Sequence, residues 1–227
     1  MKNLVIITFL IASGTSIWAQ ESQTRNVGSF TGVKVAEGVD VYLKKGDKES
    51  VRVEATGISL DNVITEISGT YLKVHMKNGN YRGNVDVKVY VTYVKIDKLS
   101  ASSAGNIFSE TTIKAGDLEA SASSAGSIEV TIETESVTAS ASSAGEVELK
   151  GKTKSLLAEA SSAGGIDAYD LEAESVKAEA SSAGSLKVNV TNSLVAHASS
   201  GGNVRYRGNP SKSITDSSSG GSVKKSN

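Results

Sequence analysis

The chain has 227 residues, with 24 lysines and arginines against 25 aspartates and glutamates, and a formal net charge of −1. This near-neutral balance argues against a nucleic-acid partner, which requires a strongly basic surface. Because the chain contains no cysteine, it has neither a disulfide framework nor a thiolate metal site or nucleophile.

Residues 1–19 have the three parts of a secretory signal peptide. Lys2 provides the positive end, an apolar run covers Leu4–Ala12, and the segment ends in a small residue, Ala19. The apolar run is shorter than the roughly 20 residues that a membrane-spanning helix needs. We therefore predict export to the periplasm, the cell surface or the medium. The mature chain, residues 20–227, has the length of one all-β domain.

The first part of the mature chain, residues 28–98, carries strand patterns of uneven length, such as Val39–Leu43 and Val85–Val94. Lys45–Lys48 and Ser68–Thr70 are predicted to be tight turns between adjacent strands. The terminal repeats of a solenoid are atypical because they cover the exposed end of its core. We predict that this portion forms the opening coils and a cap.

A Ser-Ser-small-Gly tetrapeptide recurs seven times after Leu99, at steps of 18 to 21 residues. Self-similarity at this period is typical of a solenoid. Residues 99–223 are therefore predicted to form the repeat coils. The copies of the tetrapeptide begin at Ser102, Ser123, Ser142, Ser161, Ser181, Ser199 and Ser218.

Apolar and polar residues alternate within each repeat, as at Val137, Ala139 and Ala141 before a tetrapeptide and Val147 and Leu149 after it. A period of two is the pattern of a strand with one buried face. Asn-Gly hairpin turns are missing between the repeats, so identical segments stack most simply as parallel rungs about 4.8 Å apart. The sequence predicts an all-β fold, a single-stranded parallel β-helix with coils of 19–20 residues. Crossover connections favour the right-handed form.

The tetrapeptide is predicted to form one corner of every coil. Glycine permits backbone shapes that other residues resist, and the second serine shares the parity of the apolar positions. Its hydroxyls are therefore predicted to stack inside the corner and to bond to one another. Repeated copies without a partnered base argue against serine nucleophiles. The corner residues are Ser103, Gly105, Ser124, Gly126, Ser143, Gly145, Ser162, Gly164, Ser182, Gly184, Ser200 and Gly202.

The strand patterns also follow a recognisable order, from Gly28–Val35 and Gly38–Leu43 through Val51–Ala55 and Thr70–Val74 to Leu99–Gly105. In this order and spacing the chain resembles the head GIN domain family of auto-transporter adhesins, common in Bacteroidetes-type bacteria. The likeness covers nearly the whole mature chain. It implies a right-handed β-helix carried in the cell envelope or outside the cell, and it brings no catalytic residues. Many relatives look like lipoproteins with a cysteine after the signal, which this chain lacks.

One outward column of charged residues follows the predicted corners. Three acids about 4.8 Å apart repel one another unless cations or neighbours neutralise them, and three bases follow them. The column is interpreted either as a weak divalent-cation or glycan-binding stripe, since hard cations favour grouped carboxylates, or as a solvated face. Its residues are Glu129, Glu148, Asp167, Lys187, Arg205 and Lys224, preceded by Phe108.

Two further sets of residues are weaker candidates. Tyr81 and Tyr206 each begin a Tyr-Arg-Gly-Asn segment, which could stack on a sugar ring or form a repeated turn. His75 and His197 lack companions at metal-ligand spacing. The sequence therefore predicts no cofactor and no metal.

These features favour a non-enzymatic scaffold, an adhesin, that presents regular columns to a glycan or to a cell-surface or matrix protein. Two alternatives stay open. One is a carbohydrate-active β-helix enzyme of the polysaccharide lyase or hydrolase type, which turnover of an acidic polysaccharide would reveal. The other is a structural envelope or oligomerisation module, a homo-oligomer that light scattering would separate from a monomeric binder.

Overall fold

The computed structural model describes residues 21–81 and 83–226, so the predicted signal peptide, residues 1–19, lies outside the described residues. The strands of the N-terminal portion are β1 (Glu21–Arg25), β2 (Gly32–Val35), β3 (Asp40–Lys45), β4 (Ser50–Thr56), β5 (Val63–Ser68), β6 (Tyr71–Met76) and β7 (Asp86–Tyr93), with a 3-10 helix at Leu60–Asn62. The repeats form β8 (Lys98–Ala101), β9 (Asn106–Ser109), β10 (Ile113–Ala122), β11 (Ser127–Ala141), β12 (Glu146–Ala160), β13 (Gly165–Ala180), β14 (Ser185–Ala198), β15 (Asn203–Arg207), β16 (Lys212–Ser217) and β17 (Ser222–Lys225).

The repeat strands stack in parallel, each coil beside the one before it. Ser127 pairs with Glu146, Glu146 with Gly165, and Gly165 with Ser185. The result is a β-solenoid of about seven turns with parallel pairings about 19 residues apart. The predicted all-β solenoid of parallel coils is confirmed.

Each repeat coil contributes two strand segments whose buried sides meet in one core. The segment after the corner buries branched aliphatic residues such as Ile128 and Val130, and the segment before the corner buries small ones such as Ala139 and Ala141. Buried and exposed positions alternate along both segments, because successive side chains of a strand point to opposite faces. The residues between the buried ones therefore form two outward faces.

The tetrapeptide corner is a tight turn made by two non-glycine residues in the left-handed region. In the coil that begins at Ser142, Ser143 and Ala144 have φ of 50° and 60°, and the Gly145 N–H donates to the Ser142 carbonyl at 2.8 Å. These features are those of a type I′ turn.

Two left-handed residues in succession break the strand alternation, so the second serine of the tetrapeptide points to solvent. The predicted stack of its hydroxyls inside the corner is therefore wrong. The second serine is exposed, with φ between 47° and 50°, at Ser103, Ser124, Ser143, Ser162, Ser182 and Ser200.

The glycine that ends each corner is required by a close approach between coils. A Cβ on Gly145 would lie 2.5 Å from the carbonyl carbon and oxygen of Ala122. Its φ is not positive, so the predicted reason for this glycine, an unusual backbone shape, is wrong. The glycines buried in this way are Gly105, Gly126, Gly145, Gly164, Gly184 and Gly202.

Stacked hydroxyls do occur, but at the other bend of the coil. Thr134 and Thr153 are 8% and 5% exposed, and the Thr134 hydroxyl donates to Thr153 Oγ1 at 3.0 Å. The Thr153 hydroxyl in turn donates to the Ser155 carbonyl at 3.1 Å. These buried hydroxyls are thus satisfied by one another and by the backbone, as buried polar groups must be.

The first coil of the solenoid precedes the tetrapeptide repeats. β2 pairs in parallel with β8 and β3 with β9, and between β2 and β3 lies a corner where Glu37 and Gly38 have φ of 63° and 70°. The Gly38 N–H donates to the Ser103 carbonyl at 3.1 Å. Glu37 and Gly38 therefore play the part that serine and alanine play in the later corners.

Five more strands extend beyond this first coil, and we refer to them as the cap. β6 and β7 lie parallel to β2 and β3, and β5, β4 and β1 pair antiparallel with β6, β7 and β4 respectively. Ser68–Thr70 joins the antiparallel pair β5 and β6, as predicted. The prediction for Lys45–Lys48 is wrong, because β7 lies between the two strands that this turn connects.

The C-terminal end of the solenoid is polar. Every residue of β16 is exposed, and Ser213, Thr215 and Ser217 pair with the buried residues of β14. Polar residues at core positions let a terminal coil face water, although Ile214, on the outward side of β16, is 69% exposed. Within the described chain no helix is both long and apolar enough to cross a membrane.

Candidate functional site

The outward side chains of the segments that follow the corners form what we call the front face. Those of the segments that precede the corners form the back face. Across the front face, from β4 to β17, the strand pairings bring ten residues into one line, which we call the central column. In spatial order it consists of Arg52, Tyr90, Tyr42, Phe108, Glu129, Glu148, Asp167, Lys187, Arg205 and Lys224.

The first part of the central column is an aromatic stack. The Tyr42 ring lies 5.2 Å from those of Tyr90 and Phe108, with interplanar angles of 21° and 24°. The Arg52 guanidinium caps the stack 4.1 Å from the Tyr90 centroid. Burial, followed by the nearby Asp40 carboxylate, raises the pKa of the Tyr42 phenol. Five of the six faces of the three rings are thus covered, and the sixth, the outer face of Phe108, is turned toward Glu129.

Sequence reasoning placed Phe108 at the head of the column but missed Tyr42, Tyr90 and Arg52. A signal was available for Tyr42, since it follows Gly38 by four residues, as Phe108 follows Ala104. The corner at Gly38 lacks the Ser-Ser pair, which hid this equivalence. Tyr90 and Arg52 reach the column only through the long-range pairings of β7 and β4.

The charge of the acidic part of the column is partly offset by a lysine from the neighbouring column. Lys150 Nζ lies 2.8 Å from Glu129 Oε1 and 2.8 Å from Glu148 Oε1. The hydrogen bonds to Glu129 and Glu148 raise the pKa of Lys150, so this side chain holds its charge throughout the neutral range. Adjacent like charges on paired strands would otherwise be unfavourable. Sequence reasoning did not single out Lys150.

The acidic and basic parts meet at Asp167 and Lys187, which pair on adjacent strands. Lys187 Nζ donates to Asp167 Oδ2 at 2.8 Å, and this hydrogen bond raises the pKa of Lys187. Both side chains are more than two-fifths exposed. The pair is therefore a solvent-accessible ion pair at the centre of the front face.

The basic end of the front face has an ordered arginine beside the column. The Arg207 guanidinium lies 4.0 Å from the centroid of Tyr169, and the Tyr169 hydroxyl is 2.6 Å from Ser226 Oγ. Stacking of this kind orients an arginine while leaving its edge free to bind anions. Arg205 and Lys224 are exposed beside it.

Three depressions run along the central column. One of about 250 Å³ lies between Phe108 and Glu129, one of about 410 Å³ surrounds Gly165, and one of about 350 Å³ lies beside Tyr169 and Arg207. A Cβ on Gly165 would meet no atom within 4 Å, so this glycine leaves a gap in the outward surface. Neighbouring depressions share lining residues, and together they form one groove across the coils.

Residues 29–210 match the family described as "putative auto-transporter adhesin, head GIN domain". This span exceeds half of the chain. The protein belongs to the head GIN domain family. The matched residues include the column from Tyr42 to Arg205, whereas Lys224 lies beyond them.

Solved structures from Bacteroides and Parabacteroides share the fold. A "putative adhesin" from Bacteroides fragilis NCTC 9343 has a TM-score of 0.82 at 16% identity and covers 92% of this chain and 97% of its own. A "putative adhesin" from Parabacteroides merdae ATCC 43184 has a TM-score of 0.70 at 16% identity, with 92% and 96% covered. A "putative lipid binding protein" from Parabacteroides distasonis ATCC 8503 has a TM-score of 0.66 at 18% identity, with 92% and 97% covered. No curated protein matches the chain.

The two tyrosines proposed to hold a sugar ring are not brought together. Tyr81 precedes β7 and Tyr206 lies in β15, and six strands separate β7 from β15 in the sheet. The Tyr81 hydroxyl donates to the Lys77 carbonyl, and both rings are partly buried against the core. Arg82, the arginine of the first segment, lies outside the described residues.

The two histidines lie beside carboxylates on the back face. His75 Nε2 is 3.9 Å from Glu66 Oε1, and His197 Nδ1 is 3.1 Å from Asp216 Oδ2. Residues 21–81 and 83–226 contain no group of three or more histidines, cysteines or acids placed to hold a metal ion. The cation-binding interpretation of the acidic column therefore gains no support from the geometry, because Lys150 and Lys187 form ion pairs with its carboxylates.

Proposed function

We propose that this protein is a non-enzymatic adhesin, exported to the cell envelope or beyond it, that binds its partner through the front face. Its membership of a family described as adhesins supports the adhesive role. Export is supported by the predicted signal peptide and by the same family description. The partner classes consistent with the surface are a glycan or a protein of a cell surface or matrix.

The observation that carries this proposal is the central column. Strand pairing, parallel from Tyr90 to Lys224 and antiparallel between Tyr90 and Arg52, holds its ten residues in one line, with neighbouring strands about 4.8 Å apart. The side chains divide along that line into aromatic, acidic and basic parts. Each exposed contact is weak by itself, but contacts held at fixed spacing act together, and many copies on one surface add avidity.

The ion pairs of the front face support binding over acid–base catalysis. A hydrolase or lyase needs a carboxylate or base that is free to exchange a proton with its substrate. Here Glu129 and Glu148 share the ammonium group of Lys150, and Asp167 is held by Lys187. These ion pairs favour a charged recognition surface over the alternative of a carbohydrate-active enzyme.

An array of glycans and extracellular-matrix proteins, probed with residues 20–227, tests this function. In the front-face variant Glu129, Glu148, Arg205 and Lys224 are each replaced by serine, which leaves the net charge unchanged. We expect binding to fall at least about 10-fold, a loss of roughly 1.4 kcal/mol, with the melting temperature nearly unchanged because all four side chains are at least partly exposed.

A back-face variant provides the matched control, with Lys98, Glu159, Lys177 and Glu179 replaced by serine. Glu159 and Glu179 pair across adjacent strands, and of the four replaced residues two are acidic and two basic. The control should bind as the unchanged chain does. Equal losses in both variants, or no loss in the front-face variant, would remove the front face from the proposal. Turnover of an acidic polysaccharide on the array would instead establish the enzyme.

A further inference from the structure

The six charged residues of the central column from Glu129 to Lys224 are antisymmetric about the midpoint of that stretch. Three acids occupy successive coils and three bases occupy the next three, and the change of sign falls between Asp167 and Lys187. The six positions are consecutive partners in the parallel pairing, so their spacing is regular. In spatial order they are Glu129, Glu148, Asp167, Lys187, Arg205 and Lys224.

A surface with this order is complementary to itself in one orientation. Consider two front faces in contact, related by a two-fold axis that runs along the strand direction midway between Asp167 and Lys187. The axis reverses the order of the coils, so each acid of one copy lies opposite a base of the other. Glu129 then faces Lys224 of the second copy, Glu148 faces its Arg205, and Asp167 faces its Lys187.

We propose that the front face of this protein binds the front face of a second copy in this antiparallel arrangement. This inference rests on the proposed function and names the partner as the protein itself. Such an interface is isologous, because the same patch serves both copies and each contact occurs twice. Charge complementarity fixes the register, since a shift by one coil brings like charges together.

Four of the six residues in the column beside the central one are small, which lets the two faces approach, and the other two, Glu146 and Asn203, lie opposite each other. In the same arrangement Gly165 lies opposite Ser185 of the second copy, and Ser127 lies opposite its Ser222. Lys150 lies opposite Arg207, the one like-charged pair. Lys150 is already held between two glutamates, and Arg207 is held on the ring of Tyr169, so both charges are partly compensated within their own copy.

The charges at the two ends of the stretch from Glu129 to Lys224 are the ones most open to a second copy. Within the described residues Arg205 and Lys224 form no ion pair, and the two glutamates share a single lysine. The overlap covers the coils from β11 to β17 and leaves the cap and the stack of Tyr42, Tyr90 and Phe108 uncovered. The two caps then lie at opposite ends of the dimer. Molecules attached to two surfaces that face each other would meet in this orientation.

Sedimentation of residues 20–227 with charge-reversed variants tests the proposal. One variant is Glu129→Lys with Glu148→Lys, and the other is Arg205→Glu with Lys224→Glu. We expect the unchanged chain to dimerise in low salt and to lose at least about 10-fold in affinity at 0.5 M salt, where exposed charges are screened within roughly 4 Å. Each variant alone should be monomeric, because its face carries mainly one sign of charge.

The decisive sample is the equimolar mixture of the two variants. In the antiparallel register each reversed residue of one variant lies opposite a reversed residue of the other variant, and the two have opposite signs. The native charges likewise lie opposite native charges of opposite sign. The mixture should therefore form a heterodimer with an affinity within about 3-fold of the unchanged chain. The control Glu159→Lys with Glu179→Lys changes the back face by the same charge and should leave the native dimer intact. Circular dichroism checks that each variant is folded.

Two outcomes would overturn the inference. An unchanged chain that stays monomeric up to about 1 mM, the weakest affinity of interest here, has no such interface. A native dimer that the mixture of variants fails to reproduce uses another surface. In either case front-face binding on the glycan and matrix array would still support the proposed function, whereas a restored heterodimer without array binding would leave the protein itself as the supported partner.

Discussion

Replacing Gly145 with alanine is expected to lower the free energy of unfolding by about 3 kcal/mol, the upper part of the usual range for overpacking. The added Cβ would lie 2.5 Å from the carbonyl carbon and oxygen of Ala122 and 2.6 Å from the Ser123 nitrogen. These atoms cannot move aside cheaply, because the Ala122 carbonyl accepts the Ser142 N–H at 3.0 Å. Chemical denaturation followed by circular dichroism measures the loss.

Gly165 provides the control for that substitution. It lies in the same region of the next coil, and a Cβ there would meet no atom within 4 Å. Gly165→Ala should therefore change stability little, or raise it by about 0.5 kcal/mol through the lower entropy of the unfolded chain. Equal losses for Gly145→Ala and Gly165→Ala would contradict the close approach of coils at the corner.

The second large effect is expected at the consecutive leucines Leu156 and Leu157. Leu156 is 1% exposed, whereas Leu157 lies on the outward side of the same strand. Leu156→Ala removes buried methyl groups and leaves a cavity, so it should cost about 3 kcal/mol of stability. The same truncation at Leu157 should cost less than about 1 kcal/mol, because that side chain is only partly buried.

Comparison of these two variants by urea denaturation tests the register of the solenoid. A strand shifted by one residue would exchange the buried and exposed positions of every side chain. A larger loss for Leu157→Ala than for Leu156→Ala would show such a shift. It would also move Glu148 and its column partners from the front face toward the core.

The sequence predicted the repetitive part of the fold because its signals are local and occur in every coil. Alternation of apolar residues predicts strands, and the constant period predicts parallel stacking with equivalent residues in line. The alignment of Glu129, Glu148 and Asp167 follows directly from that period. The order of the column from Phe108 to Lys224 was therefore available before the structure.

The corner was mispredicted because its signal is a backbone conformation that the residue types do not reveal. Serine and alanine seldom adopt positive φ, yet Ser143 and Ala144 both do so, and this reverses the direction of the serine side chain. The unusual backbone shape of the corner was instead predicted for the neighbouring Gly145. Its role depends on the distance to Ala122 in another coil, which no local pattern encodes.

The cap and the aromatic stack depend on long-range pairings. The insertion of β7 between β3 and β4 places Tyr90 between Tyr42 and Arg52, although Tyr90 is far from both of them in the sequence. Lys150 was missed for a related reason, since it reaches the acids of the central column from the neighbouring column. Side-chain reach across columns follows from the stacked geometry and has no signature in a single repeat.

Adhesion by this surface requires that the charged residues of the front face form one rigid, aligned column. The absence of cysteine allows spin labels to be attached at Glu129→Cys and Lys224→Cys without a background, and double electron–electron resonance then measures their separation. Five strand spacings lie between the two positions, which predicts one narrow distance distribution centred near 24 Å. A broad distribution, or a mean separation far from that value, would contradict the aligned column and with it the binding surface.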